Sequence, residues 1–479
     1  MLRNFFQNTL TKIRDWIDKM LTVSDVKKAL NIDVLLSEPM TTALDKWTRI
    51  YTNNADWLSD YVKSLNLGAT IAGEIAGNTT VEMDVEITGS PRADWLAEQF
   101  APVLARMQSN VEYGLAKGGI VFKPYIKGGR IAVDYVQADQ FYPISFDANG
   151  NMTACVFQDV LKIGNHWYTR LEYHNLTGTL YTVRNAAFRG ETRDTLGMEV
   201  PLASVEEWRD LLPEATITAV KRPLFGYFRV PLANNIDPTS PLGVSCYARA
   251  VDLIKQADTQ WSDLLWEFES GRRALYVDEL AFDRDTDGKP ILPNKRLYRT
   301  IKATGAMEKE TFYEEWSPNL REANMISGLD TILKRIELTC GLAFGTLVTD
   351  PGRVEMTATE IKSSRQRTYL TITNTQKALQ SALDGLLYAM DVWTTLEKLA
   401  PVGAYQATYT FDDSIVADHD TQFQQDSMSL SQKTMSRVEF RIRNYGETEE
   451  IAKQKIAEID AENQSNMELF TNNPINQGA

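Results

Sequence analysis

Residues 247–271 read YARAVDLIKQADTQWSDLLWEFESG. Apolar side chains fall at Tyr247, Ala250, Ile254, Ala257, Trp261, Leu264 and Phe268, at alternating steps of three and four. On a helix that rhythm draws one continuous seam, along which a second helix packs at a shallow angle. Turn chemistry opens the element, Asn235-Ile-Asp-Pro-Thr-Ser-Pro-Leu-Gly243, and Gly271 closes it. A second seam of the same kind follows at Ile326, Leu329, Leu333, Ile336 and Cys340. Between the two lies a polar strand-and-turn insert, 274–316. Two like helices around a small β insert are therefore the centre of the fold.

Toward the C-terminus comes a loop, Gly341–Met356, holding Gly345, Pro351 and Gly352. Thr357-Ala-Thr-Glu360 is a capping box, and no proline interrupts the chain again until Pro401. A helix of that length spans about 60 Å at about 1.5 Å per residue. Its first half, Ile361–Gln376, is polar on most sides, which suits an element bridging partners or domains. Its second half, Leu379–Leu396, is apolar and reads as buried. A strand at Gln406–Phe411 and helices at about 418–433 and 447–463 follow. The last 16 residues, rich in Asn and Gln, read as an unstructured tail.

Toward the N-terminus, a helix is expected over 39–64, a short one over 68–78, and an alternating strand at Val81–Ile87. Ser90-Pro91 starts a helix that runs to about Ala116 and stops at Gly118-Gly119. Hairpins are expected at Lys127-Gly-Gly129 and Asp147-Ala-Asn-Gly150, with further strands near 154–160, 166–174 and 179–184 and an extended run over 217–231. Leu2, Phe5, Phe6, Leu10, Ile13, Trp16, Ile17 and Met20 form one helical stripe. Asp15 and Asp18 break its basic face, so it is expected to dock on the protein itself and not to act as a targeting peptide.

The chain has 479 residues, enough for two to four domains at roughly 100–200 residues each. Its net charge is −14, which argues against tight nucleic-acid binding but not against a surface past which DNA slides. Residues 401–479 carry 13 acidic and six basic side chains, so half of the net charge sits there. Cys155, Cys246 and Cys340 are too far apart in sequence for a metal knuckle and read as reduced thiols. No run of about 18 apolar residues is present, so no membrane helix is expected.

Chemistry-bearing motifs fail one by one. No phosphate-cradling G-x-x-x-x-G-K-[ST] loop occurs, and Gly288-Lys289 is followed by Pro290. His166, His174 and His419 are isolated. Gly243-Val-Ser245 lacks the second glycine of a nucleophile elbow. Asp283-Arg284-Asp285-Thr-Asp287-Gly288 begins like a calcium loop, but the twelfth position is Asn294 and prolines stand at 290 and 293. It reads as an exposed turn, with a weak cation site as the alternative. The survey gives no catalytic residue, metal or cofactor.

Several long strings make the chain resemble the portal proteins of tailed phages, of the type found in siphophages of Gram-positive hosts. They are Glu112-Tyr-Gly-Leu-Ala-Lys-Gly-Gly119, Ala132-Val-Asp-Tyr-Val-Gln-Ala-Asp-Gln-Phe141, Pro231-Leu-Ala-Asn-Asn-Ile-Asp-Pro238, Leu242-Gly-Val-Ser245 before Ala250-Val-Asp252, and Val438-Glu-Phe-Arg-Ile-Arg-Asn-Tyr-Gly446. The resemblance implies an α+β portal fold. Its parts are a mixed N-terminal wing at 1–240, stem helices at 241–273 and 317–340, a β clip at 274–316, a tunnel loop at 341–356, a long wing helix at 357–404, and a helical crown with a flexible tail at 405–479. It implies a homo-oligomeric ring, usually of twelve, at the capsid vertex of the virion, assembled in the host cytoplasm. The ring passes double-stranded DNA non-specifically during packaging and ejection. Its implied partners are terminase, the scaffold and major capsid proteins, and the head–tail connector. By position, Thr349, Asp350 and Arg353 would face DNA from the loop, and Asp283, Arg284, Asp285, Asp287 and Lys289 would touch a partner from the clip. The alternatives are another phage head or connector subunit, a packaging nuclease, and a soluble binding module. A connector would not show two stem helices around an insert, a nuclease would need clustered carboxylates or a nucleotide loop, and a binding module leaves the whole-chain likeness unexplained.

Overall fold

The computed structural model describes residues 21–271, 274–278, 283, 290, 298–301, 313–316, 319–348, 358–411 and 419–471. The apolar stripe over residues 2–20 lies outside them. The chain divides into two compact units, the first ending at Phe411 and the second beginning at Asp412. The fold is α+β.

The first unit opens with α1 (Val23–Leu30), capped by Thr22, whose hydroxyl accepts the Asp25 N–H at 3.2 Å. Next come α2 (Glu38–Tyr51) and α3 (Leu67–Thr80). The helix expected over 39–64 stops at Tyr51, because Asn53 adopts a left-handed φ of 58° and turns the chain away. Trp57 and Leu58 still pack against the core, but from a loop. After β1 (Met83–Thr88), the expected helix over 91–116 is two, α4 (Pro91–Leu104) and α5 (Met107–Lys117). Pro102 lies just before the break, where its missing N–H and its ring weaken the helix.

The β-rich region follows the expected hairpins. The pair β2 (Gly119–Lys127) and β3 (Arg130–Gln137) turns through Gly128 and Gly129, whose φ values of 59° and 74° suit a two-residue hairpin loop. A meander of β4 (Phe141–Phe146), β5 (Met152–Ile163), β6 (His166–Thr177), β7 (Leu180–Gly190) and β8 (Met198–Val200) forms the largest sheet, with β9 (Glu214–Ile217) also on β7. At the first meander turn Asp147 accepts the N–H groups of Asn149 and Asn151, each at 2.8 Å. Of the extended run expected over 217–231, only β10 (Gly226–Arg229) is a strand, paired with β2.

The two seam helices are α6 (Val251–Ser270) and α7 (Glu322–Cys340). Between them β11 (Ala274–Asp278) pairs in parallel with β12 (Tyr298–Ile301) and antiparallel with β13 (Tyr313–Trp316). The long helix α8 (Ala358–Leu396) has 39 residues. The closing strand β14 (Gln406–Phe411) returns to pair with β1. One main core gathers α2 to α5, the buried face of β2, the seams of α6 and α7, and the second half of α8.

The second unit holds α9 (His419–Ser431), α10 (Arg437–Tyr445) and α11 (Glu449–Thr471). The helix α10 was not among the expected elements, although its signals are present. Ser436 accepts the Glu439 N–H at 3.0 Å, and Gly446 takes a φ of 63° at the C-terminal end. The last helix extends past its expected end at about 463 to Thr471, so only residues 472–479 of the expected tail lie beyond it.

Candidate functional site

The seam helices run side by side in opposite directions. Glu267, near the end of α6, takes a two-pronged bond from the Arg321 guanidinium at 2.8 and 3.2 Å and a third from the Arg321 N–H at 3.0 Å, where α7 begins. Further along, Gln260 faces Gly328. Tyr247, Ala250, Ile254, Ala257 and Leu264 are buried, as are Leu329, Leu333, Ile336 and Cys340. Trp261 and Ile326 are half-buried. Phe268 departs from the expected seam: it is 44 % exposed, beside Trp266 at 65 % and Leu265 at 39 %. The seam therefore stops short of the insert, and the end of α6 carries an apolar surface instead.

Two polar residues on α6, unmarked by any motif, fix a distant segment to it. Asp258 is buried and accepts the Trp57 indole N–H at 2.9 Å and the Leu65 N–H at 2.8 Å. Burial pushes its carboxyl pKa up, against the pull of those two bonds. One turn on, Ser262 accepts the Lys63 N–H at 2.7 Å.

Where α7 ends, Gly341 takes a φ of 76°, and the Thr371 hydroxyl of α8 donates to its carbonyl at 3.2 Å. Glu337, fully buried in the last turn, then accepts the N–H groups of Gly345 at 3.1 Å and Leu347 at 2.6 Å. Leu342 and Val348 are buried beside it in the main core. The Arg367 guanidinium lies over the Phe344 ring, 5.8 Å from its centre. Thr349, Asp350 and Arg353 lie outside the described residues. So do Arg284, Asp285, Asp287 and Lys289; Asp283 is described and is exposed. Among the described residues, no group of three or more His, Cys, Asp or Glu is placed to hold a metal ion.

The far end of α8 is held by a buried cation. Arg92 on α4, 1 % exposed, donates to the Asp391 carboxylate at 2.7 Å and to the carbonyls of Asp391 at 2.9 Å and Ala400 at 3.0 Å. It also donates to the Thr395 hydroxyl. In the large sheet, Glu172 accepts from Lys123 at 2.7 Å and pairs with Arg170 at 3.2 Å. His174 is not the isolated histidine expected. It is buried, with Nε2 2.8 Å from Glu172 and Nδ1 2.7 Å from the Tyr181 hydroxyl. Burial alone would raise the Glu172 pKa, but Lys123 and His174 hold it well below its usual range. Burial lowers the His174 pKa despite Glu172. Nε2 donates to the carboxylate, which can only accept, and Nδ1 shares a hydrogen bond with the Tyr181 hydroxyl.

The strings quoted from residues 112–252 meet at one junction, whereas Val438–Gly446 forms α10 of the second unit. Glu112 accepts the Tyr51 hydroxyl proton at 2.8 Å, and Lys117 pairs with Asp139 in the protein interior. Gly118, at a φ of 92°, lies against the Gly243 carbonyl, and a Cβ there would come within 2.6 Å of that oxygen. Asn234 accepts the N–H groups of Ile236 at 3.0 Å and Asp237 at 2.9 Å. The Cys246 N–H reaches the Leu115 carbonyl at 2.9 Å. These residues join the α5–β2 corner to the start of α6, and so set where the seam pair leaves the core.

A family profile described as phage portal protein, SPP1 Gp6-like, matches residues 103–468, which include that junction, the seam pair and the long helix. The chain belongs to that portal family. The family is a structural one, so the chain's role is that of a phage portal or connector component. A solved structure, the neck of a native GTA particle computed with C12 symmetry, is similar at 12 % identity and a TM-score of 0.40, over 88 % of this chain and 99 % of that one. Among curated proteins none matches.

Proposed function

We propose that this chain is the repeating subunit of a ring, of twelve copies, set at one vertex of the phage capsid in the virion and assembled in the host cytoplasm. Double-stranded DNA would enter the head through the ring and later leave by it. The observation that carries the reading is the antiparallel pair α6 and α7 around a three-stranded insert, continuing into a long helix, within the span that the portal family matches. In this reading 1–240 is the wing, 241–273 and 317–340 the stem, 274–316 the clip, 341–356 the tunnel loop, 357–404 the wing helix and 405–479 the crown. Thr349, Asp350 and Arg353 face the DNA, and Asp283, Arg284, Asp285, Asp287 and Lys289 meet terminase or the head–tail connector. The scaffold and major capsid proteins are further partners.

A ring suits the surfaces described. The end of α6 leaves Trp266 and Phe268 exposed, and a closed ring covers such faces by repeating one heterologous contact. Negative-stain electron microscopy of the purified protein should show rings with a central hole. A monomer at every concentration, with and without scaffold, overturns the reading. Substituting Thr349, Asp350 and Arg353 together should lower DNA packaging while ring formation stays as it is. Packaging at the native level would remove these residues from the DNA path.

A further inference from the structure

We propose that Glu337 is a positioning residue for the conduit: its carboxylate holds the backbone of Gly345 and Leu347, and so fixes the chain as it leaves the second stem helix. The inference rests on reading 341–356 as the channel loop, but the contacts it uses lie wholly within residues 337–371.

A fully buried carboxylate at the end of a helix is unfavourable unless its oxygens are bonded. Helix C-termini also carry a partial negative charge, so an acid in the last turn is electrostatically misplaced. Glu337 is in that position and, among the described residues, forms no salt bridge. Instead Gly345 donates to both carboxylate oxygens, at 3.1 and 3.2 Å, and Leu347 donates at 2.6 Å. Backbone N–H groups converging on one anion form a nest, and nests ordinarily hold anions from outside the chain. Here the chain supplies its own anion.

The bonds form a closed knuckle. The Glu337 carbonyl accepts the Leu342 N–H at 2.8 Å, while its side chain reaches on to Gly345 and Leu347. Gly345 has a φ of 90°, which lets its N–H turn inward. The Thr346 hydroxyl donates to the Ala343 carbonyl at 2.7 Å, and Thr371 ties Gly341 to α8. Leu342 and Val348 are buried on either side of the knuckle. One acid thus sets the spacing between the end of α7 and Val348 in the core. A hydrophobic side chain could fill the space, but it could not bind two backbone donors.

The test uses the full-length protein in its assembled form, with Glu337→Ala, Glu337→Gln and Glu337→Asp. Hydrogen exchange reads the Gly345 and Leu347 amides directly. A bond to a charged acceptor protects strongly, so Glu337→Ala should speed their exchange by about ten- to a hundredfold. Amides of residues 329–336 should keep their native rates. Ring yield should hold while DNA packaged per head falls. Glu337→Gln keeps an acceptor oxygen and should recover much of the protection and the packaging; Glu337→Asp, one carbon shorter, should recover less. If Glu337→Ala fails to fold, the comparison of Gln with Asp decides. Equal exchange at Gly345 in those two variants and the native protein overturns the proposal. So does faster exchange with native packaging, provided that substitution of Thr349, Asp350 and Arg353 does lower packaging. If both sets leave packaging unchanged while exchange rises, it is the channel-loop reading that fails, and Glu337 is left holding a turn of no consequence for DNA.

Discussion

At the scale of single residues, the polar groups that matter most are those the sequence reading passed over. Arg92, Asp258, Glu172 and Glu337 each sit in an ordinary-looking stretch, and their partners stand up to about 300 positions away or are plain backbone amides, which no motif encodes. Arg92 gives the sharpest prediction. Replacing it with Met removes a buried guanidinium and leaves the Asp391 carboxylate and the Ala400 carbonyl without that donor; breaking one side of a buried pair costs about 3–5 kcal/mol, and the partly exposed Asp391 puts the loss at the lower end. Thermal unfolding of Arg92→Met should show that loss, and a change under about 1 kcal/mol would mean that water replaces the guanidinium. The Glu172–His174 pair predicts a pH dependence. A histidine whose pKa is lowered on folding leaves the unfolded chain to take up the proton, so stability drops as pH falls below the ordinary value of about 6.5. A carboxylate held low contributes stability above its unfolded pKa of about 4.3 and loses it on further acidification, in the same direction. Melting temperatures should therefore decline between about pH 7 and pH 5. His174→Gln should flatten that part of the curve; an unchanged slope would place the titration elsewhere.

At the scale of elements, the seams were legible because packing writes itself into sequence at steps of three and four. Tyr247 to Leu264 and Leu329 to Cys340 are buried as the spacing demands. What spacing cannot give is where a seam ends. Phe268 continues the pattern but is exposed, because α7 begins at Glu322 and Arg321 turns aside to bind Glu267. Errors elsewhere came from local backbone events. Asn53 stops α2, Pro102 divides α4 from α5, and α10 is a short helix marked mainly by its caps. The α10 case is open to a simple check. Removing an N-cap hydroxyl costs about 1 kcal/mol, so Ser436→Ala should weaken the second unit by that amount, and Ser436→Asp should restore it. The readout is the exchange of the Glu439 amide, which the cap holds at 3.0 Å. The Arg441–Glu447–Lys455 cluster should persist in both variants, since those bonds of 2.8, 3.0 and 2.5 Å do not involve the cap.

At the scale of the whole molecule, the strings that carried the family resemblance turn out to be structural. Those between residues 112 and 252 build the junction from which the seam pair departs, and Val438–Gly446 forms a capped helix of the second unit. The loop and clip residues differ in kind: in the proposed ring they act on neighbouring molecules and not on the fold of their own chain. Net charge offers a test at this scale. With −14 per subunit, a ring would carry a large negative charge, and proteins hold DNA non-specifically by placing Lys and Arg against phosphates and releasing counterions. A conduit needs the reverse, weak and short-lived contact along its length. Assembled rings should therefore retain short duplex DNA only weakly at about 0.15 M salt, with a dissociation constant above about 10⁻⁴ M and little dependence on sequence. Raising the salt further should change little, because few counterions are released. Submicromolar retention with a steep salt slope would instead reveal a basic lining strong enough to outweigh the overall charge, and the ring would then be a clamp on DNA, not a passive passage.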